Sequence, residues 1–303
     1  MNRIAILLLA LSLPAHAATL HVSPDGSGAD GLTWPTAFPT LGEAIVASST
    51  EDEIWMASGT YTENLQVVRP ITILGGFAGN ENPAEREERN PEVNPTIIDG
   101  NRLGPVVTVR GSTTLDGVTV QNGLANDGSG INALHSDLTL RRVKVMENGE
   151  SGNRGGGVYI DQGNLVVDEC VLSSNSANGN GGGLFARGST VRLVATIFQE
   201  NISRSWGSGA FIIESMADIS NSKFLANGAK FVSRFGGALS VDSSHMTIVD
   251  SVLDGNSGGG GGGVLLNKST STFSTCRISN NDGTGAGGGI YANAGSTYTI
   301  DRC

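Results

Sequence analysis

Gly181-Gly182-Gly183-Leu184-Phe185-Ala186 is one of seven related glycine-led steps between residues 128 and 292. The others are GSGINA from Gly128, GGGVYI from Gly155, GSGAFI from Gly207, FGGALS from Phe235, GGGVLL from Gly261 and GGGIYA from Gly287. Their start-to-start spacings are 27, 26, 26, 28, 26 and 26 residues. A fixed period of this size means one structural unit stacked on itself, which overrides residue-by-residue propensity.

Each step is followed by a second pattern, apolar-x-x-small-x-apolar-x-x-Asn. It runs Leu140, Val143, Val145, Asn148; then Val167, Cys170, Leu172, Asn175; then Leu193, Thr196, Phe198, Asn201. It recurs as Ile219, Ser222, Phe224, Asn227, as Ile248, Ser251, Leu253, Asn256, and as Phe273, Cys276, Ile278, Asn281. The alternation predicts a strand with one buried face. An asparagine at one point of every turn predicts a ladder in which each amide donates to the next carbonyl.

The second pattern alone also fits a leucine-rich repeat. The glycine half excludes it, because runs such as Gly258 to Gly263 cannot nucleate a helix when each glycine costs about 1 kcal/mol relative to alanine. Two short strands per turn, with a third plausible, and glycines at the corners describe a parallel β-solenoid.

The chain opens Met1-Asn2-Arg3, an apolar run Ile4 to Leu13, and Ala15-His16-Ala17. A charged start, a short apolar run and an A-x-A site predict a signal peptide at 1–17 and export to the envelope or the outside of the cell. The run is too short to span a bilayer. The 303 residues then divide into a cap and first turns at 18–103 and regular turns at 104–303. The last unit stops at Cys303 before its asparagine. That break predicts a longer protein whose further turns, cap and anchoring region lie elsewhere.

Near the start, Thr40-Leu41-Gly42-Glu43 has capping-box spacing and predicts a short capping helix over 40–47. Strands are expected at 53–57, 64–68, 71–74 and 96–98. The charged, proline-bearing segment 79–95 reads as a loop that leaves the solenoid and carries variation and binding.

Three cysteines do not make a disulfide scaffold. Cys170 and Cys276 are four turns apart, about 19 Å at strand spacing, beyond disulfide reach. Cys276 and Cys303 fall on neighbouring turns; they can pair, or serve as small thiols in an interior row.

The net charge of −10 argues against nucleic acid as a partner and favours solubility outside the cell. Six bases (Arg187, Arg192, Arg204, Lys223, Lys230, Arg234) outnumber three acids between residues 187 and 234. They are either scattered solvated charge or a basic strip for an acidic glycan. Within the glycine-led strands the middle position is bulky: Tyr159, Phe185, Phe211, Leu239, Leu265, Tyr291. If its neighbours point inward, the row forms an exposed stripe suited to sugar stacking or docking. In the opposite register the same side chains fill the core.

The stretch DEIWMASGTYTENL (Asp52 to Leu65), with ITILGGF and TIIDGN after it, resembles the opening segment of secreted right-handed parallel β-helix proteins of the pectate-lyase-like superfamily. Phe224-Leu225-Ala226-Asn227 with Gly236-Gly237-Ala238-Leu239 resembles the paired motifs of polymorphic outer membrane proteins, and Phe198-Gln199-Glu200-Asn201 is a second F-x-x-N. The resemblance implies an all-β, right-handed parallel β-helix and leaves activity open, since one fold serves unrelated functions. Gly59-Thr60-Tyr61-Thr62-Glu63 resembles the G-x-Y-x-E motif of pectin methylesterases, but their paired aspartates have no match, nor has the polygalacturonase pattern. Clustered acids for Ca²⁺ on adjacent turns are few, and His135 and His245 stand singly.

The expectation is therefore an exported, adhesin-like β-helix scaffold. It would bind a polysaccharide or surface partner through Tyr159, Phe185, Phe211 and Tyr291, or through Arg187, Arg192, Arg204 and Lys223. No catalytic residue, metal or cofactor is assigned. The alternative is a polysaccharide lyase, hydrolase or esterase.

Overall fold

The computed structural model describes residues 17–149, 154–228, 237–285 and 287–303. The expected signal peptide, apart from Ala17, and the basic residues Lys230 and Arg234 lie outside these. The chain winds into a parallel β-helix with three sheets along its sides. Among the described residues sheet A has eleven strands from Thr19–Val22 to Thr297–Asp301. Among the same residues sheet B has nine from Gly59–Thr62 to Arg277–Ser279, and sheet C nine from Leu65–Val67 to Ile290–Ala292. A regular turn visits C, A and B in order, as in Val158–Asp161, Asn164–Asp168 and Val171–Ser173. The third strand, only plausible from the sequence, is thus a full sheet.

Alternation within each strand sends one set of side chains to a single interior cluster. Val158, Ile160, Leu165, Val167 and Leu172 from one turn all reach it. Inside it Phe198 and Phe224 stack with centroids 4.7 Å apart and planes 3° from parallel. In-register parallel pairing repeats the row on the next turn, because Phe198 faces Phe224 across sheet B.

The corners depart from the expected glycines. Most are a single non-glycine residue in the left-handed region, followed by a residue whose side chain bonds to the neighbouring turn. Between A and B the left-handed residues include Glu169, Ala195, Asn221, Asp250 and Thr275. After each comes a member of the small row, and where it is serine its oxygen accepts from the preceding turn: Thr196 N–H donates to Ser222 Oγ at 3.2 Å and Ser222 N–H to Ser251 Oγ at 3.1 Å. Beyond sheet B, Ser174, Glu200, Ala226 and Asn280 take the same conformation and precede the asparagines. Asn175 Nδ2 donates to Asn201 Oδ1 at 3.0 Å, and Asn201 Nδ2 to Asn227 Oδ1 at 3.0 Å. A third ladder joins C to A, where Ser189 N–H donates to Ser215 Oγ and Ser215 N–H to Ser244 Oγ, both at 3.0 Å. These bonds satisfy buried polar groups and offset the roughly 1–2 kcal/mol that a left-handed non-glycine residue costs.

The glycines serve the crossing onto sheet C. Gly155 (φ 60°) and Gly181 (φ 68°) lie against their own strands, and a Cβ on either would sit 2.9 Å from the Cβ of Tyr159 or Phe185. Only a residue without a side chain lets the incoming chain pass so close over the sheet.

The N-terminal end is covered by the helix Leu41–Ala47, whose N-cap Thr40 accepts from Glu43 N–H at 3.2 Å. Glu63 also caps it, accepting from Leu41 and Gly42 N–H at 2.8 Å each. The expected strands are observed at Glu53–Ala57, Leu65–Val67, Ile71–Phe77 and Thr96–Asp99.

Segment 79–95 does not project as expected. It folds back over the outer side of sheet A, carrying a 3-10 helix at Pro83–Glu88. Trp34 packs there against the buried Trp55, Leu74 and Phe77, and Trp34 Nε1 donates to Glu81 O at 2.9 Å. Arg89 reaches inward to donate to Gly75 O at 2.9 Å and Asp116 Oδ2 at 2.6 Å, and Arg142 donates to Asp116 from the other side. The apolar residues Trp55, Leu74 and Phe77 need cover, which is why the loop returns.

Candidate functional site

The aromatic row shows what the outer surface of sheet C offers. Tyr159 pairs with Phe185 and Phe185 with Phe211 across the sheet, while Val158 and Ile160 belong to the interior. The register is thus the outward-facing one. Exposure is where the expectation fails, because Tyr159, Phe185 and Phe211 are only 3 %, 3 % and 4 % exposed. They form a second cluster outside the main core, covered in part by Trp206, Leu134 and Ile213. Tyr159 and Phe185 stack at 5.2 Å and 6°. The Arg154 guanidinium lies 5.1 Å from the Tyr159 ring centre and 5.5 Å from that of Phe185. Asp127 fixes that guanidinium through bonds of 2.8 and 2.7 Å. Buried rings under an arginine have no face left for a sugar. Tyr291, paired with Leu265, is 37 % exposed and is the one member of the proposed four that is open.

The basic residues do not form a strip. Arg187 ends a strand of sheet C, Arg192 lies on sheet A, Lys223 on sheet B, and Arg204 follows the short strand Ile202–Ser203. In a helix of this kind only residues a whole number of turns apart align, and no two of these four are. Arg187 is also engaged: its Nε donates to Asp161 Oδ1 at 2.9 Å, and its other nitrogen reaches Asp161 Oδ2. The Arg187 bonds hold the Asp161 carboxyl below the usual carboxylate range.

The G-x-Y-x-E motif also resolves into structure. Tyr61 Oη donates to Ala57 O at 2.9 Å, burial pushes its hydroxyl pKa up, and Glu63 is the helix cap described above.

The outer side of sheet A beyond segment 79–95 is different. Alternation turns Met216 and Asp218 outward while Ala217 and Ile219 are buried. In-register pairing sets Met216, His245, Thr270 and Thr297 in one outward row, and Asp218, Thr247, Thr272 and Thr299 in the next. His245 and Met216 stand above short hydroxyl side chains. They wall a groove of about 450 Å³ lined also by Ser189, Thr190, Glu214 and Ser243. A second hollow of about 190 Å³ shares Met216 and His245 and adds Asp218, Thr247, Thr270 and Thr272. The two hollows meet at Met216 and His245; Glu214 lines the first and Asp218 the second, two residues before and two after Met216, the residue paired with His245.

His245 was read from the sequence as single. The signal that places it is the repeat itself: Ile219 and Ile248 hold the same step of neighbouring turns, so His245 falls beside Met216 and diagonal to Asp218. Among the described residues no group of three or more His, Cys, Asp or Glu is placed to hold a metal ion, and no helix is long and apolar enough to cross a membrane.

Residues 182–303 match the family model of the right handed beta helix region, and with the three-sheet winding this defines the chain as a right-handed parallel β-helix. Similar solved structures include the pectin methylesterase from carrot (13 % identity, TM-score 0.44), covering 93 % of this chain and 90 % of that one. Pectin methylesterase PemA from Erwinia chrysanthemi has 11 % identity and a TM-score of 0.39, covering 83 % and 81 %. The enzymatically active domain of bacteriophage CBA120 tailspike protein 2 has 11 % identity and a TM-score of 0.36, covering 86 % of this chain and 39 % of the other. No curated protein matches the sequence.

Proposed function

We propose that this chain is an exported polysaccharide-active β-helix protein whose ligand lies along the open outer side of sheet A. The observation that carries the reading is the open face on which a hollow lined by Glu214 and a hollow lined by Asp218 meet at His245. An extended glycan presents hydroxyls at short regular intervals. The face answers with hydroxyl, carboxylate and imidazole groups repeating about every 4.8 Å along the stack. The thioether of Met216, 65 % exposed, offers an apolar contact for a sugar ring. An imidazole and a carboxylate lining one hollow, His245 and Glu214, are the pair of side-chain types that acid–base work on a glycan uses.

A scaffold without catalysis is the second reading. It is supported by the fate of other carboxylates: Asp116, Asp127 and Asp161 are each held by arginine. The test is incubation of the purified protein with pectins, alginate and glycosaminoglycans, with and without Ca²⁺, following both retention and released product. Product is expected, falling about a hundredfold or more in His245→Ala and Glu214→Gln while the circular dichroism spectrum is unchanged. Retention without product would overturn catalysis and leave the scaffold. Neither retention nor product would remove polysaccharide as the ligand class.

A further inference from the structure

We propose that Cys276 and Cys303 are a modification site at which a disulfide joins two neighbouring turns of the helix. Sheet A pairs Thr270–Ser274 in register with Thr297–Asp301, and Thr275 N–H continues the ladder to Asp301 O at 2.9 Å. Cys276 and Cys303 therefore hold the same step of adjacent turns. In-register strands lie about 4.8 Å apart, inside the range of Cα separations that a disulfide spans. The sulfur of Cys303 is 3.3 Å from the backbone nitrogen of Cys276, so it already lies against the residue it would join. Both thiols are free in this structure.

The row supplies its own control. Its other members near the thiols are Val143, Thr196, Ser222 and Ser251, so Cys170 has no sulfur on either adjacent turn. Started from Cys303, the exchange runs in two steps. The Cys303 thiolate attacks an external disulfide such as oxidised glutathione, one glutathione thiolate leaves, and a mixed disulfide remains on Cys303. The Cys276 thiolate then attacks the Cys303 sulfur and expels the second glutathione. Two cysteine thiols are oxidised and one glutathione disulfide is reduced, with both protons passing to solvent.

The test uses the full chain equilibrated in a glutathione buffer poised as in secretory compartments, then quenched with an alkylating reagent and digested. A peptide linking Cys276 to Cys303 is expected, with Cys170 alkylated. Hydrogen exchange over 297–301 is expected to slow at least severalfold on oxidation, and Cys303→Ser to abolish that redox dependence. Alkylation of both cysteines under these conditions would overturn the proposal, as would a dimer linked through Cys303. The outcome is independent of the glycan reading, since no groove residue takes part.

Discussion

Asn201 has no exposed surface, yet its side-chain amide is fully engaged. Its Oδ1 accepts from the backbone N–H and the side-chain amide of Asn175 at 3.1 and 3.0 Å, and its Nδ2 donates to Leu172 O at 2.8 Å and to Asn227 Oδ1. Removing it leaves two donors of Asn175 and one acceptor of Leu172 buried without those bonds. Each such group costs roughly 1–3 kcal/mol. Asn201→Ala is therefore expected to lose about 3 kcal/mol or more in urea unfolding, while exposed Gln199→Ala stays near wild type. Equal midpoints for the two variants would show that the ladder follows the fold without stabilising it. The period alone makes this residue legible in the sequence, because a buried amide repeated at every turn has only its own copies as partners. His245 needed more, since its neighbours Glu214 and Asp218 come from the preceding turn and its side faces solvent.

Segment 79–95 is held to the helix at the scale of an element by Arg89, whose side chain is 3 % exposed, and Asp116, 8 % exposed. Burial pushes the Asp116 carboxyl pKa up, but the bonds from Arg142 and the charge of Arg89 more than offset this and hold it below the usual carboxylate range. A depressed folded-state pKa contributes stability that is present above the unfolded value, about 3.9, and lost as pH falls through the folded one. Acid below about pH 4 is thus expected to loosen this segment. Asp116→Asn removes the charge at all pH and leaves the Arg89 guanidinium buried without a counter-charge, a loss of about 3 kcal/mol. Limited proteolysis should then cut within 79–95 at neutral pH. A variant as resistant as wild type would show that the Trp34–Trp55–Phe77 packing alone holds the loop. Charge and proline content mark this segment as a loop, but not its return, which depends on outward Trp55 and Leu74 needing cover. The same limit hid the burial of Tyr159 and Phe185. Alternation tells which side of a strand a residue faces, while cover comes from a connection elsewhere in the turn.

At the scale of the molecule, each turn bonds chiefly to its two neighbours, through three sheets and three corner ladders, so stability is a sum over turns and their interfaces. Removing residues 156–181 takes out 26 residues, one whole period, and joins Gly155 to Gly182 as Gly181 was joined. The interior row then passes from Leu140 to Leu193, the asparagine ladder from Asn148 to Asn201, and sheet C from Ile131 to Leu184. The buried ring stack loses Tyr159, and Arg187 loses Asp161, an ion pair exposed enough at the arginine to be worth little. The groove residues Ser189 to Thr272 are untouched. This shortened protein is expected to fold, with a midpoint within a few degrees of the parent, and to keep whatever polysaccharide binding or turnover the parent shows. Removing residues 156–168 instead deletes half a turn, places Gly155 before Glu169, and sets sheet C strands against sheet B strands, so no cooperative unfolding transition is expected. Thermal melts monitored by circular dichroism, followed by the polysaccharide assay on the folded variant, decide both points. A folded one-turn deletion that has lost its polysaccharide would move the site from the His245 groove to the excised turn, whose aromatic and acidic side chains are Tyr159, Asp161, Asp168 and Glu169.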